Sequence, residues 1–181
     1  MLACSLAEGA ELRALEPWQA EELNSYIERN REHLAPWLPW ARSLTDVAGT
    51  RSWLQHYADE QARGGGRMLG IWLDGELVGG ILFRIFDTGS GVCELGAWLS
   101  PEAEGRGLIT AAANRMIDWA VRDRGIVRVE WRTVPTNARS IAVAKRLGMT
   151  LEGCLRQAFP YGGVRHDLEI WTMLADEWLT R

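Results

Sequence analysis

The sequence predicts one mixed α/β domain, with about seven strands in a central sheet and about four flanking helices, and three observations predict it. Asp74-Gly75 separates two apolar runs, Met68–Leu73 and Glu76–Phe86, which marks a tight hairpin. Alternating and helical segments follow each other in the order β-α-α-β-β-β-α-β-α-β-β, the pattern of a single α/β domain. No repeat, low-complexity tract or linker interrupts the 181 residues, so 1–181 is expected to be one domain.

The elements are justified in turn. Glu11–Glu16 alternates and reads as the first strand. Pro17 suits the first position of a helix, and Trp18–Asn30 follows with Leu23, Tyr26 and Ile27 on one face. His33–Trp40 (H-L-A-P-W-L-P-W) carries two prolines three residues apart and is expected to be an apolar loop, not a regular helix. Thr45–Arg63 reads as the second helix, with Thr45 as N-cap and Gly64-Gly65-Gly66 as its stop. After the hairpin, Gly91–Leu99 is a strand with Cys93, Leu95, Ala97 and Leu99 on one face and Val92, Glu94, Gly96 and Trp98 on the other. Ser100–Arg106 is a turn, and Gly107–Arg124 is a helix ended by Gly125. Ile126–Thr133 is a strand, and Asn137 caps a short helix that runs to Leu147 before Gly148. Thr150–Phe159 and Val164–Leu174 are the last two strands, and Ala175–Leu179 is a terminal helical turn.

Composition narrows the function classes. Hydrophobic residues make up 47% of the chain, enough for a sizeable core. The formal charge is −4, from 24 acidic and 20 basic residues, which argues against a nucleic-acid partner and suits a cationic acceptor. Three dispersed cysteines, Cys4, Cys93 and Cys154, make no C-x-x-C pair, and only three histidines are present, so neither a disulfide framework nor a metal site is expected. The start, M-L-A-C-S-L, has no basic region, and no run approaches a membrane span, so a cytoplasmic protein without a membrane partner is expected.

The richest segment is the turn Glu104–Thr110 (E-G-R-G-L-I-T). A strand runs into a glycine turn within which a helix begins. The first N–H groups of a helix lack internal partners, and its dipole places roughly half a positive charge there. Glycines let backbone approach an anion closely, so strand, turn and helix start form a phosphate cradle, with Arg106 as an added cation. Taken alone, G-R-G is more readily read as only a tight strand–helix turn.

Further segments change that weighting: E-L-G-A-W-L (94–99), N-A-R-S (137–140), R-L-G-M-T-L-E-G-C-L-R (146–156), the loop H-L-A-P-W-L-P-W (33–40) and A-D-E-W (175–178). With E-G-R-G-L-I-T they give the chain, over nearly its whole length, a resemblance to the GNAT superfamily of acetyl-CoA-dependent N-acetyltransferases, in particular the RimJ/RimL type, whose best-known members acetylate the N-termini of ribosomal proteins. The resemblance implies a mostly antiparallel mixed sheet, splayed between its fourth and fifth strands. It implies acetyl-CoA as co-substrate, with Trp98, Leu99 and Ser100 along the pantetheine arm. Glu104, Gly105, Arg106, Gly107, Leu108, Ile109 and Thr110 would lie at the pyrophosphate, and Asn137 and Ser140 would face the cofactor from the other side. The family turn is usually Q/R-x-x-G-x-G/A, so Glu104 and Ile109 are departures. The Leu99 N–H would polarise the thioester carbonyl. Homodimers are common in that group, so a homodimer is among the assemblies it implies.

Direct transfer needs a neutral amine, a polarised carbonyl and a proton for the departing thiolate. Glu94 is the candidate base, acting through water, against the alternative of an ordinary ion-paired carboxylate. Ser140 is the candidate acid, against cofactor binding or capping alone. Many superfamily members place a tyrosine where Ala144 stands, and some RimL-like proteins place a glutamate where Phe159 stands, so neither of those groups serves here. Trp37 and Trp40 are candidate walls of the acceptor site, where a cationic amine could rest on the rings. Phe159, Tyr161 and Asp167 are candidate acceptor contacts in the last hairpin, Asp167 for the amine's charge. The default acceptor is the N-terminal α-amine of a ribosomal protein. The alternatives are a polyamine or an aminoglycoside antibiotic, which would make the protein a resistance enzyme, or a noncatalytic acetyl-CoA-binding protein.

Overall fold

The computed structural model describes residues 3–181; Met1 and Leu2, part of the start read as lacking a leader, lie outside the described residues. Among the described residues eight strands are present: β1 Ala3–Ala7, β2 Ala10–Ala14, β3 Met68–Leu73, β4 Glu76–Asp87, β5 Val92–Leu99, β6 Arg128–Thr133, β7 Thr150–Tyr161 and β8 Val164–Leu174. They form one sheet in the order β1-β2-β3-β4-β5-β6-β8-β7. The β5–β6 pair is parallel, whereas β1–β2, β2–β3, β3–β4, β6–β8 and β7–β8 are antiparallel. The helices are α1 Ala20–Leu34, α2 Pro39–Ser43, α3 Val47–Ala62, α4 Leu108–Arg124, α5 Ala138–Arg146 and α6 Ala175–Leu179. The expected mixed α/β architecture is therefore present, with β1 as an added edge strand that pairs Cys4 with Leu12.

The chain divides into two compact units, Met1–Leu82 with Ala97–Ala112, and Phe83–Gly96 with Ala113–Arg181. In the first, Leu23, Tyr26 and Ile27 of α1, Leu54 of α3, Trp72 of β3 and Trp98 of β5 form a buried cluster. The indole of Trp72 donates to Glu22 on α1 (2.9 Å), so the ring packs without orphaning its N–H. In the second, Cys93, Val129 and Met173 from β5, β6 and β8 are fully buried, as are Ile117 and Ala120 of α4.

Two local expectations change. His33 and Leu34 belong to α1, and Pro39-Trp40 opens α2, so the irregular stretch shrinks to Ala35–Leu38. Pro36 falls just after the α1 C-cap and Pro39 at a helix start, the two places where a missing N–H costs least. Arg31 of α1 donates to the carbonyl oxygens of Ala41 and Leu44, which pins α2 to α1. The cap of α3 is Asp46, not Thr45: its carboxylate accepts from the Gly49 N–H at 2.7 Å.

Candidate active site

The end of β5 is held by a close approach to β4. The Ser100 N–H donates to Val78 O at 2.8 Å. Successive amides of a strand point to opposite edges, so the Leu99 N–H points away from β4. A Cβ on Gly79 would lie 2.7 Å from Leu99 Cδ1 and 3.0 Å from Leu99 Cα, and closer still to the Trp98 carbonyl oxygen. A Cβ on Gly80 would strike the Trp98 indole. Gly79-Gly80 therefore lets Trp98 and Leu99 sit down on β4. Registered pairing between β5 and β6 covers only Val92↔Arg128 to Leu95↔Trp131, half of β5.

Beyond β5, Pro101–Ala103 makes a short 3-10 turn, and Gly105 and Gly107 adopt positive φ, +76° and +73°, in the left-handed region that favours glycine. A Cβ at either position would meet nothing within 4 Å, so the glycines face open space. Ala111 donates to Gly107 O (2.9 Å) as α4 begins, so the amides of Leu108 and Ile109 precede the helical ladder. Arg106 is exposed beside them and Leu108 is buried. Open space, backbone donors and an exposed guanidinium fit a pyrophosphate. The anomalous Glu104 has a partner: its carboxylate lies 3.2 Å from His33 Nε2 on α1.

In the second unit, Asn137 caps α5 as expected, its Oδ1 accepting from the Ser140 N–H at 3.1 Å. Ser140 Oγ accepts from Trp131 Nε1 at 2.9 Å. An indole nitrogen can only donate, so Ser140 is the acceptor and keeps its hydroxyl proton for another group. That arrangement suits an acid.

Glu94 is 3% exposed, with Arg84 at 2.9 Å from one carboxylate oxygen and Arg132 at 3.6 Å from the other. Burial raises its pKa, Arg84 and Arg132 lower it, Glu130 adds an upward push, and the net shift is upward. A carboxylate with arginine at both oxygens and almost no exposure fits the ion-pair alternative better than the expected base. Cys93 is inert: burial, then Glu130 and Glu94, push its thiol up to about 12.

The candidate acceptor contacts belong to both units, Trp37 and Trp40 to the first and Phe159, Tyr161 and Asp167 to the second. Trp40 packs in a ring cluster with Trp53 (4.9 Å between centroids) and Trp98 (5.2 Å), whereas Trp37 is exposed. Trp40 is thus part of the packing around Trp98 and stays partly exposed. In the β7–β8 hairpin, Phe159 stacks on Tyr161 at 5.8 Å. Asp167 accepts from the Gln157 N–H at 2.8 Å, and Gln157 has φ +53° where the register slips between Leu155 and Phe159. The bulge thus engages one oxygen of the exposed carboxylate expected to bind a cation. Reading the sequence missed His33, Arg84, Arg132 and Gly79-Gly80. Period-two alternation on β6, which puts Arg128, Glu130 and Arg132 on one face, was the available sign of the ion-pair face around Glu94.

Among the described residues no helix is long and apolar enough to cross a membrane. A family model described as an acetyltransferase (GNAT) domain matches residues 12–150. The Bacillus subtilis (strain 168) protein YdaF, named provisionally as a ribosomal N-acetyltransferase, is 33% identical, over 98% of each chain. A ribosomal-protein-serine acetyltransferase of Escherichia coli (strain K12) is 28% identical over 94% of this chain and 96% of its own. A solved structure of RimL, a ribosomal L7/L12 α-N-protein acetyltransferase in complex with coenzyme A, superposes with a TM-score of 0.91 at 26% identity, covering 97% of this chain and 99% of that one. With its glycine turn, its capped α5 and a family model spanning most of its length, the chain belongs to the GNAT family of N-acetyltransferases.

Proposed function

We propose that the protein transfers the acetyl group of acetyl-CoA to the N-terminal α-amine of a protein, with ribosomal proteins as the acceptor class. The observation that carries the cofactor half is the positive-φ pair Gly105 and Gly107 facing open space at the start of α4. The acceptor half rests on the ribosomal-protein acetyltransferases to which the chain is similar over nearly its full length.

In this reading the backbone donors from Arg106 to Thr110 take the pyrophosphate, and the Leu99 N–H polarises the thioester carbonyl. Asn137 and Ser140 serve the thiol end. As the amine attacks and the carbon–sulfur bond breaks, Ser140 gives its proton to the thiolate and is re-protonated from the amine through solvent. An α-amine has a pKa of about 7.7–8.0, against about 10.4 for lysine, so a useful fraction is neutral near pH 7.5 without a strong base. Solvent therefore removes the proton, and Glu94 holds Arg84 and Arg132.

The test is thiol release from acetyl-CoA with purified protein and a panel of serine- and alanine-initiated peptides, polyamines and aminoglycosides. Release with peptides supports the reading. Release with an aminoglycoside or polyamine and with no peptide overturns the acceptor.

A further inference from the structure

We infer that Trp131 is a positioning residue for proton delivery, its indole N–H fixing the Ser140 hydroxyl with the proton presented outward. The inference rests on the role given to Ser140 above. Trp131 lies on β6 between Leu95 of β5 and Trp171 of β8 in the register, and it is 4% exposed. Its ring cannot swing away without unpacking, and its N–H cannot be left buried and unpaired without a desolvation cost. Among the described residues the acceptor it meets is Ser140 Oγ at 2.9 Å.

Ser140 is thereby held at two points. Its backbone N–H is fixed by Asn137 Oδ1, and its Oγ by Trp131. A serine in the first turn of a helix otherwise tends to bond back to local carbonyl oxygens, which would consume its proton. Here Oγ accepts from the indole and donates to no other described residue. Accepting a bond also polarises the hydroxyl and strengthens it as a donor toward a thiolate. Packing alone calls for a large ring at position 131; only this role calls for a ring with an N–H.

The test is a double-mutant cycle of Trp131→Phe and Ser140→Ala, with kcat and the KM for acetyl-CoA read by thiol release, using the best acceptor of the panel above. Thermal melts establish that each variant folds. Trp131→Phe keeps an aromatic ring and loses the donor; Trp131→Leu, which also lacks it, is the second variant. We expect Ser140→Ala to lower kcat by about tenfold or more, and Trp131→Phe to lower it by about 2–10-fold, the value of one hydrogen bond, at unchanged KM. In the Ser140→Ala background Trp131→Phe should have no further effect, because there is no hydroxyl left to orient. Wild-type kcat in folded Trp131→Phe or Trp131→Leu overturns the inference, as do losses that multiply in the double variant. Wild-type kcat in Ser140→Ala overturns the role of Ser140 itself, and with it the inference.

Discussion

Gly79→Ala tests the idea that the end of β5 places the reacting carbonyl. The new Cβ would stand 3.0 Å from Leu99 Cα and 2.7 Å from Leu99 Cδ1, and inside contact distance of the Trp98 carbonyl oxygen. The leucine methyl can rotate away. The backbone atoms cannot, and ordinary carbon contacts are roughly 3.5–4.0 Å, so the strand end must move by roughly 0.5–1 Å. Overpacking of that kind costs about 1–3 kcal/mol, or roughly 2–12 °C in Tm for a chain of this size. A displacement near 1 Å at a catalytic donor costs on the order of 100-fold in rate. We therefore expect Gly79→Ala to fold with a lowered Tm and to lose about 10–100-fold in kcat. CoA affinity measured by calorimetry should change far less, because the glycine turn begins at Glu104, several residues beyond the displaced strand end. A lowered Tm with wild-type kcat would refute the role assigned to the Leu99 N–H.

Three further outcomes are expected. Gly107→Glu forces a side chain onto a φ of +73°, a strain of about 1–2 kcal/mol that the fold should survive, and sets a carboxylate at the turn; CoA affinity should fall more than about 100-fold, and unchanged affinity by calorimetry would refute the cradle. Glu94→Gln should leave the acidic limb of the pH–rate profile in place and lower kcat by less than about tenfold; loss of that limb would restore Glu94 as the base. Hydrogen bonds from Arg128, then from Thr172, hold the Glu152 carboxyl down at about 2. Its stabilisation is whole above the ordinary glutamate range and fades as pH falls from about 4.5 toward about 2. Water screens this exposed pair, so Glu152→Gln should cost about 1 kcal/mol at most at pH 7, with the gap from wild type closing in melts near pH 2.

Much of the fold was legible because its signals are local. The Asp74-Gly75 hairpin, the Asn137 cap and the glycine turn each depend on a few neighbouring residues, and each stands where the sequence placed it. The stretch His33–Trp40 was misjudged because two prolines were taken to forbid helix throughout. One follows a helix end and the other opens a helix, and the anchoring by Arg31 that makes this possible is set by tertiary contact. Ser140 was found from its motif, but its contact with Trp131 was not, since nothing in a sequence tells which acceptor an indole N–H will meet. The ion pairs of Glu94 with Arg84 and Arg132, which reach it from two other strands, are likewise set by tertiary contact. Glu104 departs from the family turn, and its partner, His33, could not be read locally because it lies 71 positions earlier in the chain (104 less 33).

The acceptor is the claim on which the proposed function turns. The most direct measurement is mass-spectrometric localisation of the acetyl group after reaction of acetyl-CoA with a serine-initiated peptide that also contains an internal lysine. Near pH 7.5 the neutral fraction of the α-amine exceeds that of the lysine by a factor of roughly 100–1,000. With solvent as the proposed base, the acetyl group should be found on the α-amine alone. Modification of the lysine side chain, or an unmodified peptide beside an acetylated polyamine or aminoglycoside, would contradict it.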